Sequence, residues 1–294
     1  MSDLAKLKRN RSSIEQLKAS IEKTQTPTNV DAGSKDDTRF WQPTVDKSGN
    51  GMAIIRFLDA PFVDGDDAMK WVRLFNHGFQ GPGGWLIDNC LTSISGAKCP
   101  VCEHNSVLWN SGIEANKDIA RKQKRKLTYI ANILVVSDPG NPENEGQVKL
   151  FKFGKKIFDK ISEAVSPEFA DETAVRVFDF WDGANFKLKI RQVDGYRNYD
   201  KSEFAEVSSL GTDAEIEAIW KKEYSLKEFT DASNFKTYEQ LKARLDKALG
   251  FEGAVNLRTR AEDDPVSSFG ESDIPTIDSV SSGEDLEFFE SLAK

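Results

Sequence analysis

Residues 76–102 read NHGFQGPGGWLIDNCLTSISGAKCPVC, and this stretch decides how the chain folds. It holds all three cysteines, Cys90, Cys99 and Cys102, the last two in a Cys99-Pro100-Val101-Cys102 knuckle, with His77 upstream of Cys90. Such a knuckle bends the backbone so that two sulfurs reach one ion, and the Gly-rich turn at 78–84 can return two more ligands. Three thiolates plus one imidazole fit tetrahedral zinc. The alternative is three reduced, buried cysteines. An odd cysteine count argues against a disulfide framework. His104 competes with His77 as fourth ligand, and His77 is favoured because a ligand on a separate strand closes the loop better. Four protein ligands leave no open position for water, so the centre is structural. The zinc-deaminase pattern also fails, since His77 is followed by Gly78-Phe79 and Cys99 is preceded by Lys98.

Outward from this stretch, short apolar runs alternate with turns. Met52–Leu58, Trp71–His77, Leu127–Val136, Val148–Phe153, Val175–Phe180 and Phe186–Val193 read as strands. Cys102–Ala120, Lys155–Ala164, Asp213–Tyr224 and Tyr238–Leu249 have helical spacing. The fold class is α+β, with a β-rich centre and attached helices.

The ends differ in composition. Leu4, Leu7, Ile14, Leu17 and Ile21 form a helical stripe within a basic arm over residues 1–24, and 25–39 has the composition of a linker. A core over 40–253 follows, then a tail over 254–294 too poor in apolar residues to fold alone. The net charge of -8 belongs to that tail: residues 261–294 hold ten Asp/Glu against one Lys, which leaves the other 260 residues at +1. A near-neutral body can carry a basic face. No run approaches the roughly 18 apolar residues of a membrane span, so a cytoplasmic protein is expected.

Basic and aromatic residues recur together. Arg121-Lys122-Gln123-Lys124-Arg125-Lys126 runs into Tyr129; Lys152, Lys155 and Lys156 neighbour Phe151 and Phe158; Tyr196-Arg197-Asn198-Tyr199 precedes Lys201. Lysine and arginine neutralise phosphate, and aromatic faces stack unpaired bases without regard to sequence. Tyr129, Phe151, Tyr196 and Tyr199 are the candidate platforms, with Trp109 beside them. Lys124, Arg125, Lys126, Lys155 and Lys156 are the candidate phosphate contacts, joined by Arg56, which is out of place in an apolar run. The bland readings are a solvated helix end for the basic run, core packing for the phenylalanines and an edge-strand arginine that snorkels. No phosphate loop or nucleophile elbow is present, and two histidines are too few for most acid-base schemes, so no catalytic residue is assigned and an enzyme is not expected. Asp64, Asp66 and Asp67 could bind a cation, but the run lacks a defined ligand spacing and reads as a solvated turn.

Several segments are specific: Ile55-Arg56-Phe57-Leu58, Asn76-His77-Gly78-Phe79, Cys99-Pro100-Val101-Cys102, Ala131-Asn132-Ile133-Leu134-Val135-Val136 with Pro142-Glu143-Asn144-Glu145-Gly146, Phe153-Gly154-Lys155-Lys156-Ile157, Trp181-Asp182-Gly183-Ala184-Asn185-Phe186 and Asn198-Tyr199-Asp200. With them the chain resembles the helix-destabilising, single-stranded-DNA-binding proteins of T-even-type bacteriophages, from arm to tail.

The resemblance implies an OB-type β-barrel core with a zinc-bearing subdomain and one structural zinc on His77, Cys90, Cys99 and Cys102. It also implies a basic motif for head-to-tail cooperativity at Lys8-Arg9-Asn10-Arg11-Ser12-Ser13, echoed at Arg125-Lys126-Leu127-Thr128. The chain departs from the family at Ile130, where a tryptophan is expected, and at Phe151, which replaces a tyrosine. The implied function is cooperative, sequence-independent coating of single-stranded DNA during phage replication, recombination and repair in the infected bacterial cell. The tail would present Phe288, Phe289 and Leu292 to replication and recombination proteins. A zinc-ribbon adaptor with incidental nucleic-acid affinity is the rival reading.

Overall fold

The computed structural model describes residues 3–9, 11–22, 37–94, 96–169, 171–193 and 195–251. In chain order its elements are α1 (Asp3–Arg9), α2 (Ile14–Glu22), β1 (Phe40–Trp41), β2 (Gly51–Phe57), β3 (Val72–Gly81), β4 (Gly84–Asn89), α3 (Pro100–Trp109), α4 (Glu114–Gln123), β5 (Lys126–Ser137), β6 (Val148–Phe153), α5 (Lys155–Val165), β7 (Gly183–Val193), β8 (Tyr196–Asn198), β9 (Glu203–Ser208), α6 (Asp213–Trp220) and α7 (Tyr238–Ala248). They fall into two compact units, one of residues up to 74 and 127–234, the other of 75–126 and from 235 onward.

The first unit is an α+β body around a sheet ordered β1-β6-β5-β2-β7, with β8 and β9 both pairing with β7. Only β1 runs parallel to its neighbour, with Phe40 beside Leu150. The strand path is open, and no pairing among its described residues closes it into a barrel. β5 sits centrally and is buried from Leu127 through Ile133. Its one amide, Asn132, is satisfied by the Tyr224 backbone: its Nδ2 donates to the carbonyl at 2.8 Å and its Oδ1 accepts from the N–H at 3.0 Å. Phe57 is the hub of the aromatic core, in edge or tilted contact with Phe153, Phe178, Phe186 and Phe204.

Two readings of the sequence resolve differently. Val175–Phe180 is a buried loop instead of a strand. Val177, Phe178 and Phe180 are inward, but Asp179 accepts the N–H groups of Trp181 and Asp182, each at 2.8 Å, and so turns the chain. Asp64 is no solvated turn residue; its carboxylate accepts from the Ser225 hydroxyl and from the N–H groups of Leu226 and Lys227.

The N-terminal segment is two helices packed on this unit. Ser13 and Gln16 form a reciprocal cap that starts α2: Gln16 N–H donates to Ser13 Oγ at 3.2 Å, and Ser13 N–H to Gln16 Oε1 at 2.9 Å. Leu17 and Ile21 are buried, and α2 packs against α5.

The second unit pairs the β3–β4 hairpin with α3, α4 and α7. The helix expected over Cys102–Ala120 is broken after Asn110 because Gly112 takes φ +72°, which ends α3 and lets α4 fold back on it. Thr237 and Gln240 cap α7 as Ser13 and Gln16 cap α2. No helix among the described residues is long and apolar enough to cross a membrane.

Candidate metal centre and nucleic-acid interface

Local structure brings the four metal candidates together. His77 lies on β3 opposite Asp88, Cys90 follows β4, Cys99 is the extended residue before α3, and Cys102 stands in its first turn after Pro100. Proline at this first position has no N–H to lose and presets the helical φ. All four side chains are buried, and their ligand atoms lie within 4.8 Å of one another. Cys90 Sγ is 3.5 Å from Cys102 Sγ; His77 Nε2 is 3.4 Å from Cys99 Sγ and 3.8 Å from Cys102 Sγ. Ligands at about 2.0–2.3 Å from a tetrahedral ion stand about 3.3–3.8 Å apart, so the set fits one metal.

Electrostatics agrees with that fit. Burial opposes ionisation of Cys90, but hydrogen bonds from Cys102, Cys99 and His77 hold its pKa well below the usual thiol range. Hydrogen bonds to Cys90 and Cys99, then burial, push Cys102 far above it. Burial would lower His77, yet the neighbouring sulfurs raise it to about 9. Three sulfurs this close cannot all be anions without a cation among them. His104 takes no part. It is half-buried in a groove of about 230 Å³ with Tyr238, Lys242 and Asp246, its pKa lowered by burial.

A second layer surrounds the centre. Arg125 donates to Thr92 Oγ1 at 2.5 Å, and that hydroxyl is 3.0 Å from Cys90 Sγ. The guanidinium also covers the Phe75 ring at 4.0 Å. Arg125 is therefore buried packing for the metal loop and is not presented to a phosphate.

The other expected DNA contacts divide by exposure. Arg56 is fully buried, donating to the carbonyls of Asp179 at 3.0 Å and Ser208 at 2.8 Å, and burial lowers its pKa to about 10 against the pull of Asp179. A Cβ on Gly183 would come within 2.8 Å of that guanidinium, so the glycine makes its room. Tyr129 and Phe151 are core rings, against Phe158 and Trp41 respectively. These three placements correct the sequence reading: an apolar strand buries what it carries, including a ring or a guanidinium whose terminal nitrogens find carbonyl partners. Trp109 is buried beneath Lys117 and Arg121, whose charges stand 5.8 and 5.4 Å from its ring.

Tyr196 is 78% exposed and opens β8 at its turn from β7, beside exposed Arg197, whereas Tyr199 is half-buried and follows the far end of β8, where its carbonyl accepts from the Ser202 N–H at 2.9 Å. Lys156 is exposed, Lys155 pairs with Asp159 at 2.9 Å, and Lys124 and Lys126 are half-buried.

Lys8 and Arg11 of the basic arm motif are engaged. Arg11 makes a bidentate pair with Asp179 at 2.6 and 2.8 Å and reaches Asp182 at 2.5 Å; Lys8 pairs with Asp213. Both cations stand 5.3 Å from the Trp181 ring centre. Ser12 lines a small crevice with Asp59, Lys70 and Asp179, while Ser13 caps α2. Arg9 ends α1, and its side chain lies outside the described residues, as do Phe288, Phe289 and Leu292. The acidic notch of Asp179, Asp182 and Asp213 was not singled out from sequence, although Asp179 and Asp182 on either side of Phe180-Trp181 offered a signal.

A family model described as "gp32 DNA binding protein like" matches residues 49–249. The single-stranded DNA-binding proteins of Enterobacteria phages T2 and T4 are each 38% identical over 224 residues, covering 74% of this chain and 72% of theirs. That of Enterobacteria phage RB70 is 36% identical over 99 residues, 33% of this chain and 79% of its own. The matched region contains all four metal candidates, the β3–β4 hairpin and the β7–β8 pair, and the chain belongs to the gp32 DNA binding protein like family.

Proposed function

We propose that this protein binds single-stranded DNA without sequence preference and coats it during phage replication, recombination and repair, acting by binding and not by turnover. One observation carries the reading: 38% identity across 74% of the chain to proteins named for that activity. Tyr196 and Tyr199, at the two ends of β8, supply stacking surface, and Arg197 and Lys156 supply exposed charge for phosphate. Lys155 would join them by releasing Asp159, and Lys124 and Lys126 are candidate phosphate contacts of the second unit.

The ion is zinc, which the Cys3His set favours over harder cations, and it is structural because every tetrahedral position has a protein ligand. An OB-type arrangement of the strands is supported by the family resemblance. The acidic tail, with Phe288, Phe289 and Leu292, recruits replication and recombination proteins, and the Lys8–Ser13 motif serves self-association along DNA.

A fluorescence titration with oligo-deoxythymidine across a salt series tests the reading. Log affinity should fall linearly with log salt, by about 0.7 per phosphate contacted. A flat response, or no binding, sinks it.

A further inference from the structure

The β3–β4 hairpin has two unlike faces. Alternation points Phe75, His77, Phe79, Leu86, Asp88 and Cys90 inward and Asn76, Gly78, Gln80, Trp85, Ile87 and Asn89 outward. The inner face is committed: it holds two metal candidates, buries Phe79 and Leu86, and pairs Asp88 with Arg244 at 2.6 Å and Lys236 at 3.3 Å. The outer face carries Trp85, 62% exposed, and Ile87, 63% exposed. Of the six tryptophans, Trp41, Trp71, Trp109 and Trp220 are buried, and Trp181 lies under Lys8 and Arg11. Trp85 alone presents its indole to solvent.

We infer that this outer face is a stacking site for an unpaired nucleobase, with Trp85 as the platform. Its shape fits a flat ring. Gly78 pairs with Ile87 and lies diagonal to Trp85, and a Cβ built on it would meet nothing within 4 Å, so a strip of bare backbone lies open beside the indole. Its chemistry fits a base and not a phosphate. All six outward residues are uncharged, and the amides of Asn76 and Gln80 flank the strip with groups that hydrogen-bond base edges.

Its rigidity fits as well. Gly83 N–H donates to the Ala248 carbonyl at 2.8 Å, and Cβ atoms on Gly81 and Gly83 would fall 2.3 and 1.8 Å from the carbonyls of Ala248 and Lys247. The hairpin tip is thus clamped on the end of α7, while the metal set holds its base, and the platform is preorganised before DNA arrives.

The site rests on the single-stranded-DNA reading and extends it to a residue outside the basic-aromatic clusters. The test compares wild type, W85A, W85F and G78V for binding to an oligo-deoxythymidine short enough for one protein copy and to a long strand. Metal content and thermal melting verify each fold. Valine at Gly78 projects into open space, so G78V folds normally and fills the strip.

W85A and G78V should each weaken short-oligonucleotide binding roughly five- to hundredfold without changing the salt slope, since the lost contact is neutral. W85F should keep most affinity and lose most of the tryptophan quenching. Wild-type affinity in both W85A and G78V, or full quenching in W85F, overturns the assignment. A loss confined to the long strand also overturns it, by making the face a contact between protein copies. Failure of wild type to bind oligo-deoxythymidine would instead defeat the functional reading first, and this site with it.

Discussion

Tyr129 lies flat on Phe158, ring centroids 4.0 Å apart and planes within 1°. Phe153 stacks on the same tyrosine at 5.7 Å, so a base has no face of Tyr129 to use. Y129A should cost about 3–5 kcal/mol of stability, as deletion of a buried aromatic ring does, whereas Y129F should cost under about 1.5 kcal/mol. Urea unfolding measures both. Y129F should bind DNA like wild type at matched folded fraction; a selective loss of affinity would return Tyr129 to the interface.

That outcome turns on what a sequence can and cannot carry. β6 over Val148–Phe153 was legible to the residue, and the three cysteine candidates were legible from spacing, because hydrophobic runs and ligand spacings are local properties, whereas spacing favoured His77 over His104 and the family resemblance singled it out. Val175–Phe180 was misread because a continuous apolar run records burial, and burial is common to strands and to a loop turned by Asp179. Arg56, Tyr129 and Phe151 were misplaced for a related reason. Charge and aromaticity mark chemistry, but the face on which a strand residue lies depends on partners distant in sequence, such as Asp179 and Ser208 for Arg56.

The metal centre predicts a steep dependence of the second unit on its ion. Binding at structural sites of this kind is linked to folding by about 10 kcal/mol or more, comparable to a whole domain's stability of about 5–15 kcal/mol. C102S, or chelation of the wild type, should abolish the protected amides of β3, β4 and α3 in hydrogen exchange. Metal analysis should give one ion per wild-type chain and none for C102S. H104A should keep its ion. Retention of the ion in C102S, or its loss in H104A, would refute the ligand set.

Glu223 predicts a pH effect. It is buried with neither carboxylate oxygen hydrogen-bonded, and burial raises its pKa well above the usual range, with Lys70 opposing and Asp64 reinforcing the shift. A carboxyl whose folded pKa is raised contributes stability that is complete below its unfolded value, near 4.5, and is lost as pH rises through the folded value. E223Q should therefore be about 1–3 kcal/mol more stable than wild type at pH 8 and gain less at pH 5. Denaturant midpoints at the two pH values decide it, and an equal change at both would show that the carboxyl stays charged.

Lys156 predicts a change in salt response. It is exposed, while its neighbour Lys155 is tied to Asp159. If Lys156 meets a phosphate, K156A should lower the slope of log affinity against log salt by about 0.7 and leave the tryptophan quenching amplitude intact. An unchanged slope would remove it from the interface.

The arm offers the test that separates folding from self-association. Arg11 spans Asp179 and Asp182, and Lys8 spans Asp213 and Trp181, so these two cations of the motif are neutralised by their own chain. For these cations to grip a neighbouring copy they must leave this notch, or an identical notch on the neighbour must receive them, which is the exchange a swapped element makes at little cost. Asp213 is held below its usual pKa by hydrogen bonds from Lys8 and Trp181. A depressed carboxylate pKa favours docking above about pH 4 and withdraws that support as pH falls through the folded value, so docking is complete at neutral pH and salt is the better lever. R11A breaks a pair with one buried member and should cost about 1–3 kcal/mol of docking, freeing the arm for proteolysis. On DNA, R11A should bind a short oligonucleotide as wild type does and lose roughly tenfold or more on long strands, where neighbours touch. Equal losses on short and long strands would make Arg11 a DNA contact; no loss on either would confine the arm to folding.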